Sequence, residues 1–150
     1  MIPIYKPYLN KEILKYAHDA IDSGWISSIG KYKKLASELL CEKTGTKYSY
    51  LTCNGTVSCH LMSKVLKKFY PEKRRISIPN NCYVAAINAF MFDNAQNQGN
   101  LGDNFKFIPH DACPKTWNFN VSDNSSINEY GPTPDIFYVV HNLGNVVNVP

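Results

Sequence analysis

The sequence lacks long apolar runs, paired cysteine motifs and a recognisable leader. No stretch approaches the roughly 18 apolar residues that a membrane-spanning helix needs, so none is predicted. The opening residues, Met1 to Lys6, contain no charged segment followed by an apolar run, so we expect no secretory signal and a cytoplasmic protein. The five cysteines form no C-x-x-C pair, which indicates reduced and mostly buried thiols and gives no reason to predict a zinc site.

Strong charge is also absent. The 16 Lys and Arg residues exceed the 12 Asp and Glu residues only slightly, giving a formal net charge of +4. Nucleic-acid recognition needs a broad basic stripe, whereas the basic residues here are scattered except for one short group, which we interpret as a solvated helix end and turn: Lys67, Lys68, Lys73, Arg74 and Arg75. The 150 residues, of which 44% are hydrophobic, fit one globular domain.

Four helices are predicted from caps and apolar spacing. Asn10 can cap a helix that ends near Gly24, and a second helix contains Tyr32, Leu35, Ala36, Leu39 and Leu40 and stops at Gly45. A third begins at Thr56 and runs towards Pro71, and a fourth covers residues 83–90.

Four strands alternate with these helices, namely Tyr48–Cys53, Arg75–Ile78, Phe105–Ile108 and Ile136–His141. A polar stretch from Asp93 to Asn104 reads as a surface loop. The alternation predicts an α/β fold whose mostly parallel sheet is joined by helical crossovers. Because the chain stops soon after the last strand, we expect an uncovered sheet edge and a truncated domain.

The turn Asn54-Gly55-Thr56 lies between a predicted strand and a predicted helix. A phosphate can bind at a helix N-terminus, where backbone N–H groups are unpaired, with Gly55 allowing close approach and the Thr56 hydroxyl donating. A plain glycine turn with a threonine cap remains an alternative. The turn matches neither the P-loop pattern nor the G-x-G-x-x-G dinucleotide pattern.

A second strand-to-helix turn runs from Pro79 to Ala86. Ligands of open parallel sheets bind beyond the carboxyl ends of the strands, so both turns should face one crevice. Tyr83 could lie flat against an aromatic ring there, although a packing role for its side chain stays open. The histidines have no acid or thiol at a spacing typical of a catalytic triad.

Several segments together resemble the DegT/DnrJ/EryC1/StrS sugar aminotransferases, which use pyridoxal phosphate on a fold-type-I scaffold. The resemblance covers nearly the whole chain and is carried by the order and spacing of these segments: Ile2 to Pro7, Gly24 to Gly30, Asn54-Gly55-Thr56, Pro79 to Ala86, Phe107 to Asp111 with Thr116-Trp117-Asn118, and Val140 to Gly144.

The resemblance implies roles for three residues. Gly55 and Thr56 match the family's G-T pair that holds the cofactor phosphate, and Tyr83 matches the aromatic residue that stacks on the pyridine ring. The loop from Gly24 to Gly30 matches a segment near the nucleotide-sugar substrate. Two positions depart from the family pattern. Val57-Ser58 stands where a small residue followed by Ala is usual, and Cys82 stands where Thr is usual. Both replacements could weaken phosphate binding.

The resemblance also implies an absence. The family's Schiff-base lysine and the aspartate that pairs with the pyridine nitrogen would fall beyond Pro150, so residues 1–150 are interpreted as the N-terminal part of the large domain, with no second domain. We expect no catalytic residue here and no activity of the chain alone, since amino transfer needs both groups.

A homodimer or a complementing C-terminal chain is the expected partner. Two alternatives stay open: a non-catalytic remnant that acts as a phosphate-binding or interaction fragment, and an unrelated small nucleotide-binding domain.

Overall fold

The computed structural model describes residue 3 and residues 6–96, 104–119 and 133–149. The chain forms two compact units, Met1–Leu51 and Thr52–Pro150, which are described separately. No helix among the described residues is long and apolar enough to cross a bilayer. All five cysteines are free thiols, but Cys53 is exposed and the other four are half-buried, so the prediction of mostly buried cysteines is wrong.

The first unit contains two helices, α1 (Lys11–Asp22) and α2 (Lys31–Thr44). The side chain of Asn10 caps α1 by accepting a hydrogen bond from the backbone N–H of Ile13 at 2.8 Å. Gly45 ends α2 with φ of 68°, a left-handed conformation that glycine adopts without strain. Both helices and both end signals therefore confirm the sequence prediction.

A polar contact joins the two helices. The Asp19 carboxylate lies 2.5 Å from Nζ of Lys31 and accepts a 2.6 Å hydrogen bond from the Tyr32 hydroxyl. These two bonds, Lys31 first, lower the pKa of Asp19. No residue of either helix is buried within this unit, and the facing side chains line a groove of about 690 Å³: Tyr16, Ala17, Ala20, Tyr32, Leu35, Ala36 and Leu39.

The prediction of a strand over Tyr48–Cys53 is wrong. In the part of the chain that the structure describes, the sheet has three strands and this segment is not one of them. The carbonyl of Ser49 accepts a hydrogen bond from the side chain of Ser37 at 3.0 Å instead. A strand forms only when it pairs with a neighbouring strand. A favourable aromatic and apolar composition does not by itself provide that partner.

The second unit is an α/β arrangement in which two helices accompany a parallel sheet. Its elements are α3 (Gly55–Phe69), β1 (Arg75–Pro79), α4 (Val84–Gln96), β2 (Lys106–His110) and β3 (Ile136–Phe137). β1 is the middle strand and pairs in parallel with β2 on one side and β3 on the other. The predicted parallel sheet, with α4 as a crossover from β1 to β2, is confirmed.

Two predicted boundaries need correction. The last strand covers only Ile136–Phe137 and does not reach His141, because its pairing with β1 ends after two residues. The fourth helix continues to Gln96, so Asp93–Gln96 is helical and the predicted loop begins later. Polar composition does not exclude a helix, so the composition alone did not reveal where this helix ends. Residues 97–103 of that predicted loop lie outside the described residues.

The core lies between the sheet and the two helices. Ile76 and Ile78 of β1 pack with Phe90 of α4 and with Phe105, all four being buried. The Phe90 ring meets those of Phe105 and Tyr138 edge-on, with centroids 5.8 and 5.5 Å apart. Each fully buried side chain of this size contributes about 1.5–3 kcal/mol. This cluster therefore fixes α4 over the centre of the sheet.

Asp135 holds the start of β3 against the start of β1. Its carboxylate accepts hydrogen bonds from the backbone N–H groups of Arg74 and Arg75 at 3.0 and 2.9 Å. The Arg75 guanidinium donates a further bond at 3.0 Å. The side-chain bond from Arg75, followed by the backbone bonds, lowers the pKa of Asp135 well below its usual range. The ionised carboxylate is therefore part of the sheet's pairing.

We expect Asp135→Asn to lower the free energy of unfolding at neutral pH by about 1–3 kcal/mol, because hydrogen bonds to a charged acceptor are weakened. The folded-state pKa of Asp135 is depressed, so its contribution is fully present above the unfolded value of about 3.9 and is lost as pH falls below that value. Urea unfolding curves from pH 7 to pH 2 measure this. An equal pH dependence in the original chain and in Asp135→Asn would contradict the assignment.

Candidate functional site

The carboxyl ends of the three strands share one edge of the sheet, because all three run in parallel. The segments that leave this edge are residues 80–83 after β1, residues 111–118 after β2 and residues 138–147 after β3. The start of α3 reaches the same edge, since Sγ of Cys59 lies 3.2 Å from the hydroxyl of Tyr138, which directly follows β3. This edge, called the carboxyl edge below, is where parallel sheets bind ligands.

The first turn of α3 presents two unpaired backbone N–H groups. Asn54 satisfies the other two: its side-chain oxygen accepts from the N–H of Val57 at 3.0 Å and its carbonyl accepts from Ser58 at 3.2 Å. The N–H groups of Gly55 and Thr56 have no hydrogen-bond partner among the described residues. Unpaired donors at the positive end of a 15-residue helix form a favourable environment for an anion.

Side-chain hydroxyls stabilise this turn. The Thr52 hydroxyl donates to the carbonyl of Asn54 at 2.9 Å and lies 2.5 Å from the hydroxyl of Ser58. Ser58, one of the departures from the family pattern, is therefore engaged in fixing the turn. The half-buried Thr56 hydroxyl has no partner in the described part of the chain, so it can donate to a ligand.

The backbone conformation and the surrounding atoms do not require a glycine at position 55. Its φ is not positive, and a Cβ added there would meet no described atom within 4 Å. The absence of a side chain instead leaves open space directly beside the free N–H groups. The first turn of α3 thus has the donors and the space that a phosphate group needs.

The Tyr138 hydroxyl contacts the Cys59 thiol of α3 at the end of β3. Besides its contact with Cys59, Tyr138 is near Cys82, which lies in the turn before α4 and interacts electrostatically with both. Burial raises the pKa of the Tyr138 hydroxyl and that of the Cys82 thiol, so both stay protonated at neutral pH. Cys82, where the family pattern has Thr, is therefore a neutral packing group here.

Tyr83 stands at the start of α4 with 79% of its surface exposed. Its carbonyl accepts a hydrogen bond from the N–H of Ala86 at 3.0 Å, while its ring has no stacking partner among the described residues. The Tyr83 ring is therefore exposed within this unit, and its role as a stacking or packing residue stays a prediction. Because the Cys59 contact with Tyr138 brings the start of α3 to the carboxyl edge, from which the turn before α4 also leaves, the free ring and the free N–H groups belong to one edge of one compact unit.

A network of asparagine side chains, which the sequence did not predict, joins the three segments of the carboxyl edge. Asn81 and Asn142 both donate to the carbonyl of Trp117, at 2.9 and 3.2 Å. Asn118, 4% exposed, accepts from the N–H of Asn142 at 2.9 Å and donates to the carbonyl of Asn145 at 2.8 Å. Asn81, Trp117, Asn118 and Asn142 lie inside segments that carried the family resemblance, but nothing in the sequence paired them.

The two histidines at this edge have structural contacts. His110 is buried against the ring of Phe119, with centroids 5.0 Å apart, and burial lowers its pKa, so it is neutral at pH 7. Nδ1 of His141 accepts a hydrogen bond from the N–H of Val147 at 3.0 Å. Within the described ranges, no group of three or more His, Cys, Asp or Glu side chains could hold a metal ion.

The loop from Gly24 to Gly30 belongs to the first unit. Gly30 is required there, because a Cβ would come within 2.7 Å of the backbone oxygen of Trp25. Trp25 itself is exposed. The relation of this loop to a nucleotide-sugar stays a prediction.

Comparison with known proteins identifies relatives of this chain. Residues 7–146 match the model of the DegT/DnrJ/EryC1/StrS aminotransferase family. The GDP-perosamine synthase of Vibrio cholerae is 36% identical over 91 residues, which are 61% of this chain and 24% of that protein. The GDP-perosamine synthase of Escherichia coli O157:H7 is 30% identical over 122 residues, which are 81% of this chain and 30% of that protein.

The chain thus spans about a quarter to a third of the length of these relatives. No solved structure matches it significantly. The family model covers almost the whole chain, including the turn that starts α3, the turn between β1 and α4, and the segments joined by the asparagine network. The protein is therefore a member of the DegT/DnrJ/EryC1/StrS aminotransferase family.

Proposed function

We propose that this chain forms the phosphate- and ring-binding part of a pyridoxal phosphate-dependent aminotransferase that acts on a keto-sugar nucleotide. The observation that supports it most directly is the first turn of α3, where two N–H groups and the Thr56 hydroxyl are free beside an open glycine. Family membership supports amino transfer. The names of both relatives support a sugar linked to GDP as the first substrate to test.

In this proposal, Gly55 and Thr56 bind the cofactor phosphate and Tyr83 stacks on its ring. The phosphate carries negative charge, which the unpaired N–H groups and the helix dipole stabilise. The exposed Tyr83 ring supplies a flat apolar surface at the same edge. When bound, the cofactor supplies an electron sink for amino transfer.

The proposal assigns no catalytic residue to this chain. The lysines of α3 begin at Lys64, eight residues after Thr56, which is roughly 12 Å along the axis at 1.5 Å per residue. They are therefore far from the free N–H groups. We propose that the lysine that reacts with the cofactor comes from a further polypeptide segment, in a cytoplasmic homodimer or complemented complex, and that the chain alone is inactive.

Gly55→Ala and Thr56→Val test the phosphate site. Thr56→Val should weaken inorganic phosphate and pyridoxal phosphate binding by about 1.5–3 kcal/mol, because it removes one donor to a charged acceptor. Gly55→Ala should leave the melting temperature unchanged or slightly higher while weakening the binding of both ligands. The added methyl group contacts no described atom of the protein and occupies only the space proposed for the phosphate.

The matched control is Gly45→Ala. It also has open space for a Cβ, but its positive φ means that the substitution should lower stability without changing ligand binding. Isothermal titration and thermal melts measure both quantities. Unchanged phosphate affinity in both Gly55→Ala and Thr56→Val would refute the site.

Tyr83→Ala separates ring binding from phosphate binding. We expect pyridoxal phosphate to bind several-fold more weakly and inorganic phosphate to bind as before, because only the cofactor has a ring to stack. Tyr83→Phe should keep cofactor affinity. A parallel loss of both ligands in Tyr83→Ala would mean that the tyrosine shapes the turn and does not contact the ring.

Borohydride treatment of the chain with pyridoxal phosphate tests the absence of a reactive lysine. We expect no stoichiometric labelling of any single lysine by peptide mass spectrometry, because the proposal assigns no lysine of this chain to react with the cofactor. Lys115→Arg is the informative control, since Lys115 lies in the loop after β2. Stoichiometric labelling of one lysine, lost in the corresponding Arg variant, would place the catalytic amine within this chain.

A further inference from the structure

Trp117 has a backbone conformation that disfavours its residue type. Its φ is 59°, in the left-handed region, and among the described residues Leu143 is the only other non-glycine with positive φ. Trp117 ends a tight turn, in which its N–H donates to the carbonyl of Cys113 at 2.7 Å. Glycine or asparagine is the usual residue at such a position, because other side chains crowd the backbone.

The neighbouring residues hold Trp117 in place at a further cost. The side-chain N–H groups of Asn81 and Asn142 both donate to its carbonyl. In making this bond, Asn81 leaves its own side-chain oxygen buried and without a partner in the described structure. A buried unsatisfied acceptor is unfavourable, so the turn accepts two separate penalties to fix this residue.

Burial of the indole does not offset these penalties. The Trp117 side chain is 62% exposed and makes no aromatic contact with any described residue. A glycine would relieve the backbone and would sacrifice little packing. The fold of this unit therefore does not explain why a large flat ring stands here, whereas strained residues commonly occur where a side chain meets a ligand.

We propose that Trp117 is the stacking surface for the nucleobase of the substrate, with Asn81 and Asn142 as positioning residues that fix its backbone. The inference rests on the proposed nucleotide-sugar function and names the residue that recognises the nucleotide's ring. An indole face binds a flat base in offset stacking. Asn81 precedes Tyr83 by two residues in the same turn, so the nucleobase would bind beside the proposed cofactor site.

Fluorescence offers a direct test, because the chain has only two tryptophans, Trp25 and Trp117. In a Trp25→Phe background, emission comes from Trp117 alone. We expect GDP to quench this emission in a saturable manner and pyrophosphate, which lacks a base, to leave it unchanged. Equilibrium dialysis with GDP on the original chain and on Trp25→Phe gives the affinity independently of emission.

Trp117→Gly and Leu143→Gly form a matched pair. Both relieve a positive φ in the carboxyl-edge segments, but only the first removes an aromatic ring. We expect both variants to melt at the original temperature or above it. Trp117→Gly should bind GDP about tenfold to a hundredfold more weakly, Leu143→Gly should bind it as before, and Trp117→Phe should restore most of the affinity.

The outcomes separate this inference from the function on which it rests. The role of Trp117 is overturned if dialysis shows GDP binding without quenching of the emission, or if Trp117→Gly binds GDP with full affinity. Either result leaves the nucleotide substrate standing. A lower melting temperature in Trp117→Gly with unchanged GDP affinity also overturns this role, because the indole is then structural. Failure of GDP to bind the original chain overturns the nucleotide substrate together with this inference, while the phosphate and pyridoxal phosphate tests remain independent.

Discussion

The parallel pairing of β1 on both sides is the constraint on which the second unit depends. Because β2 and β3 run in the same direction as β1, every segment that leaves a strand emerges at the carboxyl edge. The Asp135 carboxylate maintains this arrangement from the opposite end by binding the N–H groups that start β1. Turns that are distant in sequence therefore meet, and the contact between Cys59 and Tyr138 brings the start of α3 to the same edge.

Local capping decides which groups at this edge remain available. Asn54 satisfies the N–H groups of Val57 and Ser58, and the Thr52 and Ser58 hydroxyls hold the turn in that conformation. The same geometry leaves the donors of Gly55 and Thr56 free. An N-terminal cap thus stabilises α3 and leaves two donors unpaired in the same turn, because a helix always begins with more donors than its cap can satisfy.

In the segments after β2 and β3, side chains with many hydrogen bonds lie next to exposed apolar side chains. Side-chain amides there make a dense network, with Asn118 buried at its centre. That network supports two residues in the left-handed region, Trp117 and Leu143, whose side chains are 62% and 91% exposed. Hydrogen bonds of the asparagines therefore hold these segments together, while the side chains of Trp117 and Leu143 remain exposed.

The sequence by itself determined the local features. The start of α1 and the end of α2 follow from Asn10 and Gly45, because a cap is formed by residues that are neighbours in the chain. The cap of α3 is Asn54, so the threonine cap considered from the sequence is wrong. The alternation of strands and helices was enough to predict a parallel sheet, and the family followed from the order of short motifs. Only the tertiary structure decided which extended segments became strands: Tyr48–Cys53 found no partner and β3 is short, because strand pairing depends on a distant neighbour. The asparagine network that holds Trp117 was likewise hidden, since its side-chain hydrogen bonds join residues separated by a long stretch of chain.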